Sequence, residues 1–206
     1  MPLQHAAAGA PPLESWLDPY LSKTLGIPYY VALLSAAETY GASPYAVMVT
    51  QVMVPERRLS IVVGRHKVTF HTRAQIERMP TRWHETPDGR CKISTAELTA
   101  LELVQREALV GGMTRVREVL NALWGACTEM GLFEALEALQ EVPTAQRLGA
   151  LLSLDSHDAF AAQVARWLRD KQPRIVSLEG KQTADNSSFD AVFKVRLPAD
   201  VRGFDT

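Results

Sequence analysis

In the stretch Ser94–Val104, Leu98, Leu101 and Val104 recur at helical spacing, Ala100 and Leu103 widen the apolar stripe, and Glu97, Thr99, Glu102 and Gln105 lie off it. Ser94 and Glu97 stand at the spacing of a capping box, which marks a helix start. Before this helix the chain runs mostly in short alternating segments that predict strands. After it the pattern is helical until residue 173. The pattern therefore predicts an α+β fold, a small mostly antiparallel sheet packed by a helical C-terminal half, with the central helix between them.

Leu13, Trp16, Leu17, Tyr20, Leu21 and Leu25 predict a helix that Pro19 kinks and Gly26 stops. Pro28 suits the first position of a second helix, Tyr29–Tyr40, apolar nearly all round and ended by Gly41. Val47, Val49, Thr50, Val52 and Val54 predict a strand over Ala46–Val54, closed by Pro55. Val63-Gly64-Arg65-His66 has glycine where a type II′ hairpin turn requires it. Counting outwards pairs Ile61 with Val68 and Leu59 with Phe70 on an apolar face. Val62 with Lys67, Ser60 with Thr69 and Arg58 with His71 then form a wet, basic face.

A short helix is predicted over Arg73–Met79, then a hairpin with arms Thr81–Thr86 and Arg90–Ile93 around Pro87-Asp88-Gly89. Gly111-Gly112 breaks the helical run, and Met113, Val116, Leu120, Leu123, Cys127 and Met130 predict one long helix. Shorter helices follow at Leu132–Gln140, Pro143–Leu154 and Ser156–Asp170, then strands at Arg174–Leu178 and Phe189–Leu197 flanking the polar segment Lys181–Ser188. In the last strand Phe189, Ala191, Phe193, Val195 and Leu197 are expected on one face. The expected organisation is a tail or linker remnant at 1–12, one domain over 13–200 and a tail at 201–206.

Composition adds limits rather than detail. With 206 residues, 47% hydrophobic and 22% charged, the chain can bury a core unaided. Cys91 and Cys127 fall in a strand pattern and a helical stripe, and read as buried thiols rather than a disulfide or metal pair. No run approaches the ~20 apolar residues of a membrane helix, and no signal peptide is recognisable, so a cytoplasmic location is expected. A net charge of −1 argues against binding nucleic acid by bulk charge.

The chain offers no phosphate-binding glycine loop, no G-x-S-x-G and no H-E-x-x-H. His66 and His71, an odd number apart on one strand, face opposite ways. Asp155-Ser156-His157-Asp158 reads as a helix start rather than a metal site. The four tryptophans read as core or hairpin packing rather than a base-stacking platform. No catalytic residue, metal site or cofactor is expected.

Charge is distributed unevenly. Residues 55–92 carry nine basic and four acidic side chains, residues 95–170 six basic and eleven acidic. One reading is a solvated sheet surface with locally balanced charges. The other is a basic hairpin face, bearing Arg57, Arg58, Arg65, Lys67 and Arg73, that meets a polyanion or an acidic protein.

Four motifs in order resemble the C-terminal domain of AbiEi-type antitoxins over roughly residues 13–200. They are Tyr29–Glu38 followed by Gly41-Ala42; Gln51-Val52-Met53-Val54 with the Gly64-Arg65 hairpin; Ser94–Val104; and Gln146–Leu152. The resemblance implies the non-enzymatic antitoxin of a bacterial type IV toxin–antitoxin system, a phage-defence module. Such a protein opposes a nucleotidyltransferase-like toxin encoded nearby and takes part in transcriptional regulation of its operon. It also implies an N-terminal winged helix-turn-helix, for which residues 1–28 are too short. DNA contact is accordingly expected to be weak, or to go through that missing module. The alternative expectation is a protein-interaction or oligomerisation module of a bacterial regulator without a toxin. An enzyme acting on nucleotides is the third class, and would need a pocket of clustered carboxylates.

Overall fold

The computed structural model describes residues 11–43, 46–179 and 188–198. The expected tails, apart from Pro11 and Pro12, and nearly all of Lys181–Ser188 lie outside the described residues. Strands β1 (Tyr30–Val31), β2 (Val49–Val54), β3 (Ile61–Val63), β4 (His66–Thr72), β5 (Thr81–Thr86) and β6 (Gly89–Ser94) form one mixed sheet in the order β3-β4-β2-β1-β6-β5. The β1/β2, β3/β4 and β5/β6 pairs are antiparallel, while β2/β4 and β1/β6 run parallel.

Alternation along these strands gives the sheet two apolar faces. Val31, Val52, Val54, Val68, Cys91 and Ile93 point to one side, where Leu17 and Leu21 cover them. Those leucines come from α1 (Leu13–Asp18) and the π-helical turn Pro19–Thr24 that continues it. Proline supplies no N–H for a regular helical bond, and the helix widens where the kink was expected. On the other side Tyr30 and Met53 meet α2 (Leu33–Thr39) and α3 (Ala96–Gln105), with residues 96–104 of α3 buried throughout. Behind α3 lie α4 (Glu107–Val110), α5 (Met113–Leu123), α6 (Glu129–Leu139), α7 (Val142–Leu154) and α8 (Asp158–Leu168). The central helix thus packs a sheet on one flank and a helical cluster on the other. The fold is α+β.

A second sheet, β7 (Val176–Ser177), β9 (Val195–Leu197) and β8 (Ser188–Asp190) in that spatial order, sits against α7. Gln146 anchors it: its side-chain amide donates to the carbonyls of Arg174 and Phe193, each at 2.7 Å. Arg147 Nε donates to the Ser177 carbonyl at 2.9 Å.

Several boundaries differ from the sequence expectation, each for a local reason. The expected helix Tyr29–Tyr40 is a strand followed by a shorter helix, because β1 fills the middle of the sheet between β2 and β6. Strand pairing outweighs the helical apolar pattern there. Leu33, with φ 55°, turns the chain into α2, and Gln51 steadies that turn by accepting from Leu34 N–H at 3.1 Å. The expected strand Ala46–Val54 is formed only from Val49 onwards. The capping residue of α3 is Thr95, whose hydroxyl accepts from Leu98 N–H at 3.3 Å. Ser94 ends β6, and Glu97 reaches instead to Thr128 N–H at 2.8 Å, where α6 begins.

Arg73–Met79 makes only the 3₁₀ turn Ile76–Arg78, entered through Gln75 at φ 50°. The expected long helix through Met130 stops at Leu123 and restarts at Glu129, where Thr128 caps α6. Phe189–Leu197 is a hairpin rather than one strand: Asp190 accepts from Val192 and Phe193 N–H at 2.9 Å and turns the chain. Phe189 is therefore 52% exposed while Phe193, Val195 and Leu197 are buried.

Both cysteines are free thiols. Burial, and then neighbouring carboxylates, push each up to about 12 from 9.0. Both should resist alkylation at pH 8 in the native protein and react after denaturation. Since the folded values exceed the unfolded one, the thiols leave stability intact below 9.0 and reduce it as pH rises from 9.0 towards 12. Rapid native labelling with iodoacetamide would contradict this placement.

Candidate basic groove

The loop leaving β2 carries Arg57 and Arg58 out of the sheet before β3 begins. The β3/β4 register is the one expected from the turn: Ile61 opposite Val68, Val62 opposite Lys67, Val63 opposite His66. Pairing stops at Ile61, so the expected pairs of Leu59 with Phe70, Ser60 with Thr69 and Arg58 with His71 do not form. The freed loop turns towards the π-helical turn instead. Tyr20, Leu21 and Leu25 from the helical side, and Leu59, Ile61 and Phe70 from the hairpin side, line a groove of about 400 Å³. Arg57 and Arg58 also line it. Leu59 stands 86% exposed there, where the apolar hairpin face was expected to hide it.

The five basic candidates are thereby divided. Arg57 and Arg58 border the groove, and Arg65 is exposed at the hairpin turn. Lys67 is exposed opposite Val62, and the strand alternation directs it to the other side of the sheet from Ile61 and Val68. None of these four has a hydrogen-bond or ion-pair partner among the described residues. Arg73 is no part of any basic face, because it is 7% exposed and held inside the protein.

Arg73 Nη2 donates to Glu102 Oε1 at 2.8 Å and to Gln105 Oε1 at 2.7 Å. The Tyr30 hydroxyl donates to the same Glu102 oxygen at 2.6 Å. Burial pushes the Glu102 carboxyl above its usual range, against the pull of Arg73. Burial also pushes the Tyr30 hydroxyl up, keeping it a donor. At Arg73 burial works against the charge, but Glu102 and Tyr30 outweigh it and hold the guanidinium protonated. Arg106 Nη2 adds a bond to the Thr72 carbonyl at 2.7 Å. His71 is held below its usual range by burial and by Arg106. This network ties β1, the end of β4 and α3 together, and it is closed to a partner.

Elsewhere the stretch Asp155–Asp158 does lead into a helix, since α8 begins at Asp158 with His157 before it, but Asp155 itself ends α7 and pairs with Arg117, Nε to Oδ1 at 2.7 Å. Among the described residues no group of three or more His, Cys, Asp or Glu side chains could hold a metal ion. Trp124 packs against Phe160 at 5.1 Å between ring centroids, and Trp167 donates to Glu137 at 2.5 Å. Trp83 lies on the outer strand under Arg90, 4.3 Å from the ring centroid. No helix among the described residues is long and apolar enough to cross a membrane.

The groove pairs an apolar floor with two unneutralised guanidinium groups, a combination suited to a protein surface that is both apolar and acidic. Tyr20, Leu21 and Leu25 were not expected to take part. Their stripe reads as an ordinary buried helix face, and nothing local indicates that the hairpin lies across from it.

A family model described as the AbiEi antitoxin C-terminal domain matches residues 30–154. Among solved structures, the RV2827C protein from Mycobacterium tuberculosis is similar in fold, with TM-score 0.60 and 14% identity over 88% of this chain. The chain spans 66% of that protein's length. No curated protein matches the chain.

Proposed function

The chain belongs to the AbiEi antitoxin C-terminal domain family, and from that premise we propose that it opposes a nucleotidyltransferase-like toxin in a type IV toxin–antitoxin system. It does so in the cytoplasm, by binding and without catalysis, and takes part in repression of its operon. The observation that supports a binding role is the groove itself, where Arg57 and Arg58 stand unpaired beside exposed Leu59. Arg65 is exposed at the turn of the hairpin whose Ile61 and Phe70 line the groove. Buried arginine–carboxylate contacts flanked by apolar side chains carry much of the energy of such interfaces.

Changing Arg57, Arg58 and Arg65 to glutamine tests this surface. Folding free energy should change by less than about 0.5 kcal/mol per site, because exposed, unpaired side chains contribute little to folding. Affinity for the purified toxin, read by calorimetry, should fall by about tenfold or more for each arginine that forms a charge-assisted contact. Lys67→Gln, on the other side of the sheet, should leave affinity unchanged. Equal affinities for the triple variant and the wild type would move the contact surface away from the groove.

A further inference from the structure

We propose that the groove also receives α6 from a second copy of this chain, so that copies associate head to tail. Residues 129–141, comprising α6 and its C-terminal flank, hold four glutamates and no lysine or arginine. One turn of that helix exposes Met130 by 70% and Phe133 by 40%, with Glu134 beside them. Glu134 has no partner among the described residues. Glu137 on the same face is bonded to Trp167, which fixes that end of the stripe.

The groove is the counterpart of this helix in both respects. Its lining is apolar where α6 offers Met130 and Phe133, and its rim carries Arg57 and Arg58 where α6 offers glutamates. The groove opens on the α1 side of the sheet, whereas α6 packs on α3 at the opposite side. One molecule therefore cannot fill its own groove, and the contact joins unlike surfaces of two copies. A single helix face in a groove buries on the order of 1,000 Å² or less, the size of weak, reversible contacts. The inference does not rest on the antitoxin reading, although a toxin seated in the groove would displace the second copy.

Sedimentation velocity on the whole chain tests this, from about 10 µM to about 500 µM, where contacts of this size become populated. The wild type should show a sedimentation coefficient that rises with concentration and falls back in high salt. Arg58→Glu, which spoils the groove, and Glu134→Arg, which spoils the helix, should each stay monomeric and melt like the wild type. Mixed together they should form a one-to-one dimer, since each retains the surface the other has lost. Glu134→Arg should still bind the toxin as tightly as the wild type, so loss of self-association is distinguishable from loss of the antitoxin contact. A wild type that remains monomeric throughout, single variants that still associate, or a mixture that yields no dimer would each overturn the proposal.

Discussion

Arg73→Ala is expected to destabilise the protein by about 3–5 kcal/mol, the scale seen when one partner of a buried ion pair is removed. Arg73 is 7% exposed and Glu102 0%, and the two meet at 2.8 Å. Without Arg73 the Glu102 carboxylate is left with the Tyr30 hydroxyl as its donor, in a site that already disfavours its charge. Glu102 will then take up a proton more readily than it does now. A folded value above the unfolded one means the loss is smallest at low pH and grows as pH rises through the raised value. Urea denaturation of the wild type and Arg73→Ala across that range should therefore show two curves that separate with rising pH. Replacing both residues by apolar side chains of similar volume should cost less than either single alanine change, since no charge is left buried alone. A loss below about 1 kcal/mol at neutral pH, the scale of an exposed pair, would contradict the burial of Arg73.

Phe193→Ala is expected to cost about 3–5 kcal/mol, since the residue is 1% exposed and its ring packs the small sheet against α7. Gly149 on α7 lies directly against that ring, and a Cβ there would overlap it. Gly149→Ala should therefore cost about 1–3 kcal/mol by overpacking, despite alanine's better helix propensity. The two changes should not add: with the ring gone, the methyl group has room, and the double variant should be more stable than the sum of the singles predicts. Additive losses, measured by chemical denaturation, would show that Gly149 and Phe193 do not meet.

The features legible in the sequence were those decided by neighbours along the chain. The Gly64 turn, the Ile61–Val68 register and the Thr81–Ser94 hairpin depend on local turn chemistry and alternation, and they stand in the structure. Features decided by distant partners were not legible. Tyr30 and Val31 carry a helical pattern but are drawn into a strand by partners distant along the chain, Val52 and Met53 of β2 and Ile93 of β6. Glu97 has capping-box spacing yet serves another helix, at Thr128. At the groove, Arg57, Arg58 and Arg65 were recognisable as exposed charge, but Arg73 looked the same and is buried, because its partner Glu102 lies on the central helix. The apolar half of the groove depends on the π-helical turn and the loop before β3 meeting, which no local pattern records.

The antitoxin reading is tested most directly by co-expression with the nucleotidyltransferase-like protein expected to be encoded beside this chain, scored as colony growth. The wild type should restore growth, whereas Arg57→Glu with Arg58→Glu, present at the same level and melting at the same temperature, should not. Failure of the wild-type chain to restore growth, or full rescue by the double variant, would contradict the account.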